Sequence, residues 1–243
     1  MTEKLMSGHS KWSTIKRAKE AKDNKRSSVF TKLANNITIA TRKGGDSDIN
    51  FSLRMAIDRA KSANMPKDNI ERAIKRGTGE LGGQAVEELI YEGFGPVKSA
   101  FIIETVTDNK NRTASDIRHI FTKNSGGLGS VSWNFDRKGV ISVSNDNLKN
   151  IDWDELELEL IDAGAEDITK EAAGATIITV MENLQKVKKF LDGKNIRTES
   201  AELEYIAKEK KELSEEEKNK VEKFIDALDE NEDVSNYYTD IIL

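Results

Sequence analysis

The chain has 243 residues, 37% hydrophobic and 33% charged, which is enough apolar content to build cores and too much for wholesale disorder. It has no cysteine, which excludes disulfides, thiolate zinc sites and cysteine nucleophiles. No apolar run approaches the roughly 20 residues that cross a bilayer and no apolar h-region follows the first Met, so a cytoplasmic protein of one to three domains is expected.

Charge is unevenly spread. Met1–Arg76 hold 18 Lys/Arg against 8 Asp/Glu, net +10, and Gly77–Leu243 hold 20 against 35, net −15, which together restore the overall −5. A basic front end on an acidic body is an electrostatically oriented molecule, steered toward phosphate. The plainer reading, a solvated helix surface, fits ten excess charges in so short a stretch less well.

Met1–Ser7 read as a leader. Gly8–Leu33 gathers Lys11, Lys16, Arg17, Lys19, Lys22, Lys25, Arg26 and Lys32 against only Glu20 and Asp23. Its apolar stripe, Trp12, Ile15 and Ala18, is too thin for a helix stable on its own, so an arm that orders on its partner is expected. Three amphipathic helices follow. The first carries Phe30, Leu33, Ile37 and Ala40, the second Leu53, Ile57 and Ala60, and the third, opened by Pro66, carries Ile70, Ala73 and Ile74. The third helix turns Arg72, Lys75 and Arg76 outward.

Gly77, Gly79 and Gly82 spell G-x-G-x-x-G. A dinucleotide fingerprint needs a buried strand before it, whereas a charged helix precedes this one, so a hinge is expected. From Glu87 the period changes to that of strands. Strands are expected at Leu89–Gly93, Ala100–Val106 and Val131–Phe135, with a helix capped by Thr113 and Asp116 running to Phe121. Gly139–Val143, a helix capped by Asp152 and Glu155, Ala165–Thr169, Thr176–Met181, a helix capped by Asn183, and Ala201–Ile206 then give β-α-β-β-α-β, the ferredoxin-like plan. A Ser214/Glu217 capping box opens a helix through Val221, Phe224 and Leu228. The last strand, Val234–Tyr238, has no local partner and is expected to pair back with the Ala100–Phe135 unit.

The fold class predicted is therefore α+β. A basic helical domain (8–81) precedes a discontinuous α+β domain (82–137 with 207–243), into which a ferredoxin-like domain (138–206) is inserted.

Catalysis finds little support. His9 and His119 are the only histidines, neither is placed beside a nucleophile, and no Walker A sequence is present, so no enzyme, cofactor or metal is expected. Nucleic-acid binding has two supports. In the arm, Lys and Arg neutralise phosphate, and Trp12 either stacks on a base or anchors the arm to the bundle. The second is Asn109–Lys123, which places Lys110, Arg112, Arg118, His119 and Lys123 in an otherwise acidic region. A salt-bridged surface explains such a cluster equally well.

GHSKW at 8–12, IKRAKEAKDNKR at 15–26, NMPKDNIERAIKRGTGE at 64–80, YEGFGP at 91–96 and TDNKNRTASDIRHIFTKNSGGLGSV at 107–131 closely resemble the YebC family over nearly the whole chain from Met6. The leader and the acidic C-terminal half depart most from that pattern. The resemblance implies three domains, a helical N-terminal one and two α/β ones, around a large groove. It also implies a regulator of gene expression, since members are described as transcriptional regulators or, like the mitochondrial translational activator of cytochrome c oxidase, act on translation. No obvious base-reading set of Arg, Asn or Gln stands out, so backbone contacts are expected to dominate. The expectation is RNA, ribosomal or messenger, contacted by a monomer or weak dimer with no membrane partner. Promoter DNA is the alternative and a protein-interaction scaffold the second. The binding residues expected are Lys11, Trp12, Lys16, Arg17, Lys19, Lys22, Lys25, Arg26, Lys32, Arg72, Lys75, Arg76, Arg112, Arg118 and Lys123.

Overall fold

A computed structural model of the chain describes residues 24–82, 86–149, 151–171 and 173–242, with side chains from residue 29 onward. These residues form a mixed α/β structure of seven α-helices and two four-stranded antiparallel sheets.

The head consists of α1 (Asn24–Ala40), α2 (Phe51–Ser62) and α3 (Lys67–Gly77). Apolar residues at helical spacing close it: Leu33 and Ile37 of α1, Leu53, Ile57 and Ala60 of α2, Ile70 and Ala73 of α3, with Met65 between α2 and α3. Asn50 ties the corner. Its side-chain oxygen accepts from the Leu53 N–H and caps α2, while its Nδ2 donates to the Ala40 and Gly44 carbonyls at 2.8 and 2.7 Å. Gly77 is no hinge: it ends α3 against α1, where a Cβ would lie 1.8 Å from Thr41 Oγ1 and 2.4 Å from the Thr38 carbonyl. The first glycine of the G-x-G-x-x-G run serves helix packing.

The first sheet contains β1 (Glu87–Phe94), β2 (Ala100–Thr107), β3 (Gly127–Leu128) and β8 (Val234–Thr239), in the order β3-β1-β2-β8. Helices α4 (Lys110–Lys123) and α7 (Glu215–Glu230) cover one face, and Phe101 and Ile103 meet Ile117, Phe121, Phe224 and Ile225 there. Phe224 makes edge-on ring contacts with both Phe101 and Phe121, at 4.8 and 5.0 Å between centroids.

The second sheet contains β4 (Phe135–Ser144), β5 (Ala165–Glu171), β6 (Gly174–Thr179) and β7 (Ser200–Ala207), in the order β5-β6-β4-β7. With α5 (Trp153–Ala163) and α6 (Leu184–Gly193) as its two crossovers, this is the split βαβ topology. Ile141, Val143 and Ile177 pack on Leu156, Leu160, Val187 and Leu191. Ala100, Ile102 and Tyr238 of the first sheet pack against Phe135 and Ala207 of the second, joining the two.

Three local expectations are corrected. Asn109, not Thr113, caps α4 by accepting from the Arg112 N–H; Thr113 is buried one turn in, its hydroxyl on the Asn109 carbonyl and the Asp233 carboxylate. Asn183 caps nothing; its amide reaches the carbonyl of Gly164, a left-handed residue closing α5. Val131–Phe135 is not a strand. The Glu92 carboxylate accepts the Val131 and Ser132 N–H groups, both at 2.8 Å, and a 3-10 turn follows over Ser132–Asn134.

Candidate nucleic-acid interface

Lys11, Trp12, Lys16, Arg17, Lys19 and Lys22 lie outside the described residues, as do the side chains of Lys25 and Arg26 at the start of α1. Among the described residues, the cationic surface is built on α3. Pro66 sets its start, Ile70 and Ala73 are buried, and Arg72, Lys75 and Arg76, three and four residues apart, fall together on the exposed side. Arg72 and Lys75 form no ion pair among the described residues, while Arg76 Nη2 lies 4.0 Å from Asp108. Beside them an open cavity of about 210 Å³ is lined by Asp68, Glu71, Arg72, Lys75 and Leu81, so its charge is mixed. Arg42, Lys43 and Lys61 add further exposed cations to the head.

Other head cations are engaged in the fold. Lys32, with 16% of its side chain exposed, donates to the Leu228 carbonyl in the last turn of α7 at 3.4 Å and lies 3.9 Å from Asp229. Burial pulls its pKa down, against the pull of Asp229. The structure thus places Lys32 at a helix C-terminus, complementing the dipole of α7. Arg54 ties the loop before α2 by donating to the Ser47 and Asp48 carbonyls. Arg59, a residue the sequence did not single out, reaches both Glu202 carboxylate oxygens at 3.1 and 3.2 Å and fastens the head to β7.

The second cluster divides in two. Arg112 is held between Asp108 and Asp233 at 3.2 and 3.1 Å, and Lys110 pairs with Glu87 at 2.7 Å. The hydrogen bonds that Arg112 donates to Asp233 drive its pKa upward. Arg118 and Lys123 remain exposed with no ion pair among the described residues. Trp133 was also missed: read as part of a strand, it stands 64% exposed on the 3-10 turn, and Lys208 donates to its carbonyl at 3.0 Å.

Around Tyr238 lie the buried Glu204 and the partly buried Glu104 and Glu202. Glu104 accepts from the Tyr238 hydroxyl at 3.2 Å; burial raises its pKa and, with the carboxylates of Glu104, Glu204 and Glu202 nearby, raises that of Tyr238. Among the described residues no group of three or more His, Asp or Glu has the arrangement to hold a metal ion. No helix among them is long and apolar enough to cross a membrane.

A mixed α/β body carrying a helical head with an outward cationic face defines the class. Residues 10–80 match the family model described as the TACO1/YebC protein N-terminal domain, and residues 86–241 the one described as the TACO1/YebC second and third domain. The chain belongs to the TACO1/YebC family. It is 49% identical over 240 residues to a "probable transcriptional regulatory protein" of Thermoanaerobacter pseudethanolicus, covering 97% of both chains. A protein of the same description from Caldanaerobacter subterraneus is 47% identical over 242 residues, 98% of this chain and 99% of the relative. Among solved structures, that of a conserved hypothetical protein from Aquifex aeolicus superposes with a TM-score of 0.80 at 41% identity, covering 90% of this chain and 91% of that one. The family's naming is that of a regulator and not of an enzyme.

Proposed function

We propose that this regulator binds RNA, ribosomal or messenger, through its basic N-terminal arm and the cationic face of α3, and so promotes translation. The observation that carries the reading is the division of charge, +10 over residues 1–76 and −15 over the remainder. An acidic body is repelled by phosphate, so a complex with a polyanion forms head first. The exposed Arg72, Lys75 and Arg76 support the same polarity, and the absence of an obvious base-reading set favours backbone contacts over sequence readout. In this reading residues 8–81 are the nucleic-acid module, 82–137 with 207–243 the body, and 138–206 an insertion into it, the three enclosing a groove. The separate hydrophobic clusters of head and two sheets support that division.

Promoter DNA is the second reading, favoured by the description of the relatives as probable transcriptional regulatory proteins. Sedimentation of the purified chain with ribosomes, alongside binding to promoter fragments at about 0.15 M salt, separates the two. Co-sedimentation with weak, sequence-indifferent DNA binding supports the proposal; strong promoter preference without ribosome association overturns it. A Lys16→Glu/Arg17→Glu/Lys25→Glu/Arg26→Glu variant that keeps full activity points instead to a protein scaffold.

A further inference from the structure

The outer edge of β1 is left open by a specific device. Strand β3 pairs with β1 only at Gly93 and Phe94, after which the Gly129 N–H donates to the Glu92 carbonyl at 3.0 Å. Continued straight, the chain would run along Tyr91 and Ile90. The Glu92 side chain prevents this by taking the Val131 and Ser132 N–H groups into its carboxylate, and the chain turns away. Burial alone would raise the Glu92 carboxyl, but these N–H bonds, with Ser130 and Ser132, hold it below its ordinary value.

Because the Glu92 carbonyl faces outward, the alternation of the ladder turns the backbone groups of Ile90 and Glu88 outward as well. Neither has a backbone partner among the described residues on that side. Ile90 is 52% exposed in the middle of this edge. Acids frame it on the same face: Glu88 and Glu92 lie two residues to either side on β1, and Glu104 lies directly opposite on β2. Across the sheet, Leu89 and Tyr91 are half-buried beside α4.

We infer that the Glu87–Tyr91 edge of β1 accepts an extended, cationic segment of a partner protein by strand addition. Main-chain hydrogen bonds to Ile90 and Glu88 supply the pairing. Alternation then puts the guest's cations on the face that carries the exposed Glu88 and its apolar residues over Leu89 and Tyr91. The charge selects the occupant. A nucleic-acid strand would meet carboxylates, and a second copy paired antiparallel about Ile90 would set Glu88 opposite Glu92. This partner surface lies on the acidic body and does not depend on the RNA reading of the head.

The test uses the full chain, isotope-labelled for amide NMR, and a capped heptapeptide alternating lysine and valine. Saturable binding is expected, with slowed hydrogen exchange at the Ile90 and Glu88 amides. Glu88→Lys should weaken binding about tenfold, the loss of one well-placed charge contact. Ile90→Pro, which deletes only an outward N–H, should abolish amide protection; because it could perturb the strand, Glu88→Lys is the independent variant. Binding that leaves the Ile90 amide unchanged, or that Glu88→Lys does not weaken, overturns the inference. So does protection of this edge by an oligouridine or by self-association of the chain.

Discussion

At the scale of single residues, Gly77 and Gly193 both end helices, yet they face different surroundings. A methyl group on Gly77 would collide with Thr41 and the Thr38 carbonyl, whereas one on Gly193 meets nothing within 4 Å. Gly77→Ala should therefore destabilise the chain by about 1–3 kcal/mol through overpacking, and Gly193→Ala should be neutral or slightly stabilising, as chemical denaturation will show. Glu104 gives a pH signature. Burial raises its folded-state pKa, so its protonation stabilises the fold in acid, and that contribution drains away as pH rises through the folded pKa. Glu104→Gln should raise the melting temperature near pH 7 and lose its advantage below about pH 4, where the wild-type carboxyl is itself protonated. Glu92 has the opposite sign. Its depressed pKa makes its contribution present near neutrality and lost as pH falls, so Glu92→Gln should cost most above pH 5.

At the scale of elements, the two basic helices do different work. On α3 the outward cations are largely unspent, whereas Arg112 of α4 is locked between Asp108 and Asp233. Arg72→Glu/Lys75→Glu should weaken RNA binding and flatten its salt dependence by about 0.7 log units per lost single-strand contact, with the melting temperature unchanged. Arg112→Ala should do the reverse, lowering the melting temperature and sparing the affinity. The sequence could not make this distinction, because Asp233 lies 121 residues from Arg112 and no local pattern reports that encounter. What periodicity exposes is the apolar face of each helix and the alternation of each strand: Leu33 with Ile37, and Ala100 through Val106, were legible for that reason. Side chains that bond across the chain were not. Glu92 ended a strand from 39 residues away, and Thr113, a good cap by type, lay one turn inside a helix that Asn109 had already capped. Lys32 read as part of a basic arm, yet folding brings it to the end of a helix 196 residues on.

At the scale of the whole molecule, a cationic head is fastened to an anionic body by Phe51 and Met55, which pack on the core of the second sheet, and by polar links, Arg59 to Glu202, Arg76 to Asp108 and Lys32 to the end of α7. Those links consume positive charge but leave Arg72, Lys75 and the exposed cations Arg42, Lys43 and Lys61 outward. In the proposed complex this polarity, more than any base-reading contact, holds the partner. Its most direct measurement is the affinity of the full chain for ribosomes and for single-stranded RNA across a sodium chloride series. A straight, steep fall of log affinity with log salt is expected, with a slope of about −0.7 for every phosphate engaged on single-stranded RNA. An affinity that holds level as salt rises would contradict it.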